Sequence, residues 1–305
     1  MSSILIALLP AVLPVGLIIL VGFVAGRALS IERQTLSQLI LYVLSPALVI
    51  DGLYRTTLSW QSSLGLLAGF ALTSCFVYLV SRFISRITKL PSSLQTSVIA
   101  TSLFPNNGNM GLPIVTFALG TAGLERAIIC MIGSSIIMFC LGPAIIQGKG
   151  IIKGLKLIVR LPLIWSILAG LGLRLISLNV PAFEFPFDLD LGIQKLGQAA
   201  IPIALILLGM QLAHTHFVLG IRELSTATIR LLIAPTIAFG VGNLLNLASL
   251  DLQVLVLQSA MPTAVNSFIL VTEFGGDRDF VARTIITSTL LSFATIPLIL
   301  WLLQF

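Results

Sequence analysis

The sequence predicts an all-α polytopic membrane protein: ten transmembrane helices arranged as two inverted five-helix repeats, with broken crossing helices 4 and 9. Three observations carry this. First, the 305 residues are 57% hydrophobic and only 9% charged, with a mean hydropathy of +1.09. A soluble domain carries roughly 25% charged residues and about 45–50% apolar ones. Second, apolar runs of about 20 residues, the length of one bilayer crossing, recur ten times. Third, motifs of the first half return in the second at a nearly constant offset. Seventeen basic and eleven acidic residues are too few to coat a water-facing surface. That excludes a soluble enzyme, a nucleic-acid-binding protein and a disordered chain. The pI of about 9.7 does not reverse this, because the basic residues stand singly between apolar runs.

The predicted spans are 4–26, 36–54, 58–81, 94–119, 127–147, 157–178, 196–213, 231–250, 252–272 and 284–304. Their continuous apolarity excludes transmembrane strands, which alternate over about ten residues. The sixth span is framed by Arg160 and Arg174, whose long side chains can snorkel to the two interfaces. The first has neither a charged leader nor a small-residue cleavage site, so it is expected to be retained. Loops 1, 3, 5, 7 and 9 hold thirteen basic residues: Arg27, Arg33, Arg82, Arg86, Lys89, Lys149, Lys153, Lys156, Arg160, Arg222, Arg230, Arg278 and Arg283. The opposite side holds four, Arg55, Arg126, Arg174 and Lys195. By the positive-inside rule both termini face outward, as expected for an integral protein of a bacterial inner (plasma) membrane. Residues 179–195 read as the longest irregular stretch. Cys75, Cys130 and Cys140 lie within spans, without disulfide or metal-ligand spacing, and read as small apolar packing residues.

The halves correspond. Helix 2 contains SPALVIDGL with Pro46, and helix 7 contains IPIALILLGMQL with Pro202. Helix 4 contains FPNNGNMGLP, and helix 9 contains MPTAVNSFIL. Pro105 and Pro262 are 157 residues apart, and that offset also aligns Asn109 with Asn266 and Arg126 with Arg283. A duplicated unit of five helices is odd-numbered, so its second copy inserts upside down, giving repeats 1–150 and 151–305. Inverted repeats with paired discontinuous helices are a transporter architecture. Pro105, Asn106, Asn107, Gly108, Asn109, Gly111 and Pro113 fall halfway through helix 4. Proline removes a backbone donor, glycine weakens helix, and asparagine favours turns. Helix 9 repeats the pattern more mildly with Ser259, Pro262, Thr263, Asn266 and Ser267. Freed backbone groups cannot face lipid, so both breaks must be buried or line a wet cavity.

FPNNGNMGLPIV, LILLGMQLA and SAMPTAVNSFILVTEFGGD together resemble the auxin efflux carrier family, over essentially the whole chain. YVLSPALVI in helix 2 fits the same family less specifically. The family is related to the PIN-type auxin exporters and, more distantly, to bile acid–sodium symporters. The resemblance implies a scaffold of helices 1, 2, 6 and 7 and a transport core of helices 3–5 and 8–10. It also implies elevator-type alternating access and a homodimer through the scaffold. The large insertion that plant members carry between helices 5 and 6 is replaced here by a short link, about 148–156.

If the breaks cross, the second half-helices start near Pro113 and Ser267 and present the positive ends of their dipoles to the crossing. Such a place suits a carboxylate, and Asn106, Asn109 and Asn266 add uncharged donors. The expected substrate is therefore a small organic anion, such as malate, another dicarboxylate or an auxin-like acid. Pro105, Gly108, Gly111 and Pro262 read as helix breakers, Pro113, Thr263 and Ser267 as substrate-binding residues beside the asparagines. Ser45 either bonds the kink at Pro46 or lines the site. Gln211 and Met210 either face the core or pack. Asp51, four residues before Arg55, is either half of an interfacial ion pair or a group for proton coupling. His214 and His216 read as solvated loop residues. No break contains the carboxylate that a sodium site usually employs. No metal or other cofactor is implied, and the absence of catalytic motifs argues against an enzyme. The expectation is electrogenic efflux; the alternative is a sodium- or proton-coupled organic-anion symporter.

Overall fold

The computed structural model describes residues 2–147, 159, 161–180, 185, 188–214 and 220–303. His216, Lys149, Lys153, Lys156 and Arg160 lie outside these. Eleven helices account for the described residues: α1 (Ser2–Ala28), α2 (Arg33–Tyr54), α3 (Trp60–Ile87), α4 (Ser92–Leu103), α5 (Asn107–Ile145), α6 (Pro162–Asn179), α7 (Leu189–Ala213), α8 (Ile221–Leu244), α9 (Ser249–Ser259), α10 (Asn266–Phe274) and α11 (Arg278–Leu302). Seven of them (α2, α3, α5, α6, α7, α8 and α11) are long and apolar enough to cross a membrane. Among the described residues no strand forms, only one isolated bridge.

Predicted and observed boundaries differ where polar residues join helices. The stretch 179–195 is not irregular throughout, since α7 begins at Leu189. Asp190 lies in its first turn, where a carboxylate complements the exposed N–H groups. Helix α8 begins ten residues before the predicted span, because the Glu223 carboxylate there accepts from Arg283 Nε at 2.7 Å. Arg230, grouped above with the loop charges, is 2% exposed inside α8. Helix α5 takes in the second part of the predicted fourth span and the fifth, two helical stretches that meet at a kink at Gly120, whose φ of 67° and ψ of −162° suit only glycine.

Four prolines share a local device. Pro46, Pro113, Pro143 and Pro235 each stand two residues after a π-type turn, at Ile40–Leu44, Asn107–Gly111, Ile137–Leu141 and Ile229–Ile233. A proline ring has no N–H and collides with the carbonyl four residues earlier, so the preceding turn widens instead of breaking. At the helix starts, Ser59 Oγ accepts from Ser62 N–H and Asp277 Oδ1 from Phe280 N–H, capping α3 and α11.

Helix α1 packs along α7, and α2 packs on both α6 and α7. The α1–α7 contact is backbone against backbone: a Cβ on Gly209 would lie 2.1 Å from the Ile19 carbonyl, and one on Gly22 would lie 2.2 Å from that of Ile206. Lipid offers no hydrophobic drive between helices, so small residues that permit close approach supply the adhesion. The remaining helices pack mainly on one another, with α5 also touching α1. Leu17, Leu20 and Val24 of α1 and Trp165, Leu168 and Leu175 of α6 are exposed.

Candidate functional site

Helix α4 stops at Leu103 and α9 at Ser259, and the chain beyond each runs extended. These two segments meet antiparallel at Pro105 and Thr263. Asn106 N–H donates to the Pro262 carbonyl at 2.7 Å, and Ala264 N–H donates to the Phe104 carbonyl at 2.9 Å. The prolines cost the pair nothing, because each offers only its carbonyl or its φ. Thr263 secures the crossing from behind. Its Oγ1 donates to the Thr101 carbonyl at 2.8 Å, and its N–H donates to Ser288 Oγ at 3.1 Å.

The chain then re-enters helix at Asn107 and at Asn266, so α5 starts six residues before Pro113. The π-type turn explains the difference: Gly111 N–H and Met110 N–H both reach back to the Asn106 carbonyl, at 3.0 and 3.3 Å. Pro113 is buried one turn inside the helix and does not line the crossing.

A cavity of about 120 Å³ opens beside the amino ends of α5 and α10. Asn106, Asn107, Gly108, Asn109, Pro105 and Asn266 line one wall. Ser45 and Pro46 of α2 line the other, and Ser134 and Ser135 of α5 close it. Among the described residues no charged side chain lines it. Its electrostatics are therefore set by amide and hydroxyl dipoles and by the amino ends of two helices, which favour negative charge. The space accommodates several waters or one small carboxylate. Next to it lies a wider vestibule of about 940 Å³, lined by Arg27, Glu32, Arg33, Gln211 and His214 among others. Ser37 lines both, so the two spaces adjoin.

Of the predicted site residues, Asn106, Asn109, Asn266, Ser45, Pro105 and Gly108 thus come together. Gln211 lines the vestibule instead. Thr263, Ser267 and Pro262 are buried in the crossing itself, and Gly111 faces Gln258, whose Oε1 would stand 2.3 Å from an added Cβ. Asp51 is not among the residues that line the cavity. Its carboxylate accepts from Arg55 Nε at 2.8 Å, and Arg55 also donates to Asp190 at 2.6 Å. The hydrogen bond that Arg55 donates to the Asp51 carboxylate raises the Arg55 pKa above its ordinary value. His214 is exposed, and its Nε2 lies 2.7 Å from the Gly26 carbonyl. The repeat-related Arg126 and Arg283 are both paired, with Asp251 at 2.5 Å and Glu223 at 2.7 Å.

Asn107 is the residue that sequence reasoning passed over. It is 2% exposed, lines the cavity, and neither its Oδ1 nor its Nδ2 has a partner among the described residues. A buried amide left so costs about 1–3 kcal/mol, which a ligand in the cavity would recover. Its signal was available in the string PNNGN, where every asparagine is equally placed to serve a break. Ser134 and Ser135, a polar pair inside an apolar span, gave a second signal.

The profile of the membrane transport protein family matches residues 7–152 and 151–300. An uncharacterized transporter of Methanothermobacter thermautotrophicus is 28% identical over 299 residues, 94% of this chain and 95% of its own. An uncharacterized transporter of Methanocaldococcus jannaschii is 27% identical over 303 residues, 96% and 97% of the two chains. A Rhizobium meliloti protein provisionally named a malonate transporter is 27% identical over 318 residues, 96% and 95% of the two chains. Ten apolar runs, paired breaks and a match across nearly the full length agree: this chain belongs to the membrane transport protein family, that of the auxin efflux carriers.

Proposed function

We propose that the protein carries small organic anions, carboxylates above all, across the membrane by alternating access at the crossing. The observation that carries this reading is the cavity at the amino ends of α5 and α10, lined among the described residues by no charged side chain, into which Asn107 brings an amide unpartnered among them. An anion there would take the free donors without meeting a fixed cation that could hold it too tightly for release. The provisional naming of the Rhizobium meliloti relative for malonate, a dicarboxylate, supports the same class.

In this reading the chain makes ten crossings as two inverted repeats, 1–150 and 151–305. Helices α1, α2, α6 and α7 are the scaffold, and α3–α5 and α8–α11 form the moving core. Packing supports that division, since α1, α2, α6 and α7 associate closely and the cavity lies where α2 meets the crossing. An elevator displacement of the core would expose the cavity alternately on the two sides. With Arg230 buried, a split of twelve basic residues against four supports a cytoplasmic side for the vestibule of Arg27 and Arg33. Both termini then face outward, in a bacterial inner membrane. The vestibule's arginines gather anions toward the cavity by long-range attraction. Potential alone drives their efflux, since one charge moved through 100 mV is worth about 2.3 kcal/mol, roughly fifty-fold. The exposed apolar faces of α1 and α6 suit lipid or a second copy of the chain.

Transport current from proteoliposomes, given a panel of small carboxylates with and without sodium, tests the proposal. A sodium-independent current that Asn109→Ala abolishes is expected. A current only with sodium would establish the symporter instead, and silence from folded protein across the panel would exclude the substrate class.

A further inference from the structure

The carboxyl ends of α4 and α9 meet on the other face of the crossing, and they carry the opposite partial charge. Their last carbonyls lack partners within the helix, and their dipoles present negative ends. One side chain answers both. Arg230 of α8, 2% exposed, donates from one terminal nitrogen to the carbonyls of Ser102 and Leu103, at 2.7 and 3.4 Å. The other terminal nitrogen donates to the Ser259 carbonyl. Ser102 and Ser259 are 157 residues apart, the offset that relates Pro105 to Pro262, so Arg230 joins equivalent points of the two repeats. Position 73, which that offset relates to 230, is threonine, so the arginine itself has no counterpart.

None of the ion pairs among the described residues includes Arg230. A buried guanidinium without a carboxylate is costly unless its surroundings supply the negative charge. Here backbone carbonyls do so. The hydroxyls of the same Ser102 and Ser259 are buried and have no partner among the described residues. Three carbonyl oxygens meeting at the guanidinium, with two buried hydroxyls on the same helix ends, are the hard oxygen donors that an alkali cation takes.

We propose that the Arg230 guanidinium is a tethered counter-cation, filling the place that a small monovalent cation would otherwise take between the carboxyl ends of α4 and α9. The consequence deepens the proposed function and rests on it: the crossing keeps its positive charge through every cycle, so anion transport needs no cation from solution. Removing the guanidinium uncovers the oxygens and turns the place into an alkali-cation site.

The test is thermal melting of purified wild type and Arg230→Ala in matched sodium, potassium and choline chloride. The wild type is expected to melt alike in all three. The variant melts lower, and sodium or potassium, but not choline, raises its midpoint saturably by a few degrees, on the order expected for a ligand near ten times its Kd. Equal melting of the variant in all three salts, or an alkali-cation shift in the wild type, overturns the proposal. If Arg230→Ala cannot be purified, Arg230→Met is extracted in each salt. Recovery of a monodisperse protein in sodium or potassium alone supports the tethered cation, and equal loss in all three refutes it. No substrate enters these measurements, so an error in the substrate class leaves their outcome unchanged.

Discussion

Replacing Asn266 by aspartate tests the sign of the substrate's charge. The two side chains are nearly isosteric, so the change exchanges a donor for a negative charge in a cavity that no charged side chain lines among the described residues. A space of about 120 Å³ keeps any bound group within about 4–6 Å of its lining, where two unit charges repel by about 3–4 kcal/mol at an effective dielectric constant of about 20. Asn266→Ala is the reference. It removes one hydrogen bond to a charged group, worth about 1.5–3 kcal/mol, and should weaken apparent affinity about ten- to a hundred-fold. Asn266→Asp adds the repulsion and should weaken it about a further hundred-fold or more at pH 7.5. The bound anion also raises the new carboxyl's pKa above its ordinary value of about 4, because a like charge favours the neutral form. As pH falls through that raised pKa the group becomes a neutral donor again. Proteoliposome uptake by Asn266→Asp should therefore recover on acidification from pH 7.5 to 5.5, using a substrate ionised throughout, while Asn266→Ala stays low. Wild-type or enhanced uptake by Asn266→Asp at pH 7.5 would refute the anion reading and point to a cation.

Other substitutions probe what holds the site in place. Gly209→Ala puts a methyl against the backbone of α1, and overpacking of this kind costs about 1–3 kcal/mol; the melting midpoint should fall. Asp251→Asn leaves Arg126, whose side chain is 18% exposed, without its carboxylate, and a broken buried pair costs about 3–5 kcal/mol; loss of monodispersity in detergent or a sharply lower midpoint should follow. Gly120→Ala meets open space but must hold φ at 67°, at about 1–3 kcal/mol, so a lower midpoint without loss of the cavity is expected. Asp51→Asn should change stability by no more than about 1 kcal/mol and leave the pH profile of transport unaltered, because Asp51 is not among the residues that line the cavity and is paired with Arg55. A flattened profile in that variant would make Asp51 the proton-coupling group.

Much of this architecture was legible because lipid leaves so few options. Apolar runs of bilayer length had to be helices, and PNNGN had to be a break that a cavity or the protein interior covers. What stayed hidden depends on residues distant in sequence. Nothing local says that α5 restarts at Asn107 instead of near Pro113; the widened turn that permits it is a response to the proline ring five or six residues further on. The gap between the predicted fourth and fifth spans narrows to a kink at Gly120, whose φ of 67° the sequence does not give. Glu223 extends α8 only because Arg283, sixty residues later, comes to meet it. Arg230 was the hardest to read. A single arginine at the edge of an apolar run belongs at the interface by every compositional rule, and only the meeting of α4 and α9 supplies the carbonyls that draw it inside.

Arg230 also explains why the crossing can hold an anion without a basic residue on the substrate side. Two broken helices create two unlike places: amino ends short of acceptors and carboxyl ends short of donors. Were both left to solution ions, an anion and a cation would have to arrive and leave together, and transport would be coupled by construction. With the carboxyl ends held permanently by a covalently attached guanidinium, only the amino ends remain open, beside Asn106, Asn107, Asn109 and Asn266. A site lined by amides binds an anion less firmly than one lined by arginine, and release is as necessary to a carrier as capture. The neutral cavity and the buried arginine are thus two halves of one arrangement, in which charge that must stay is built into the chain and charge that must travel is not.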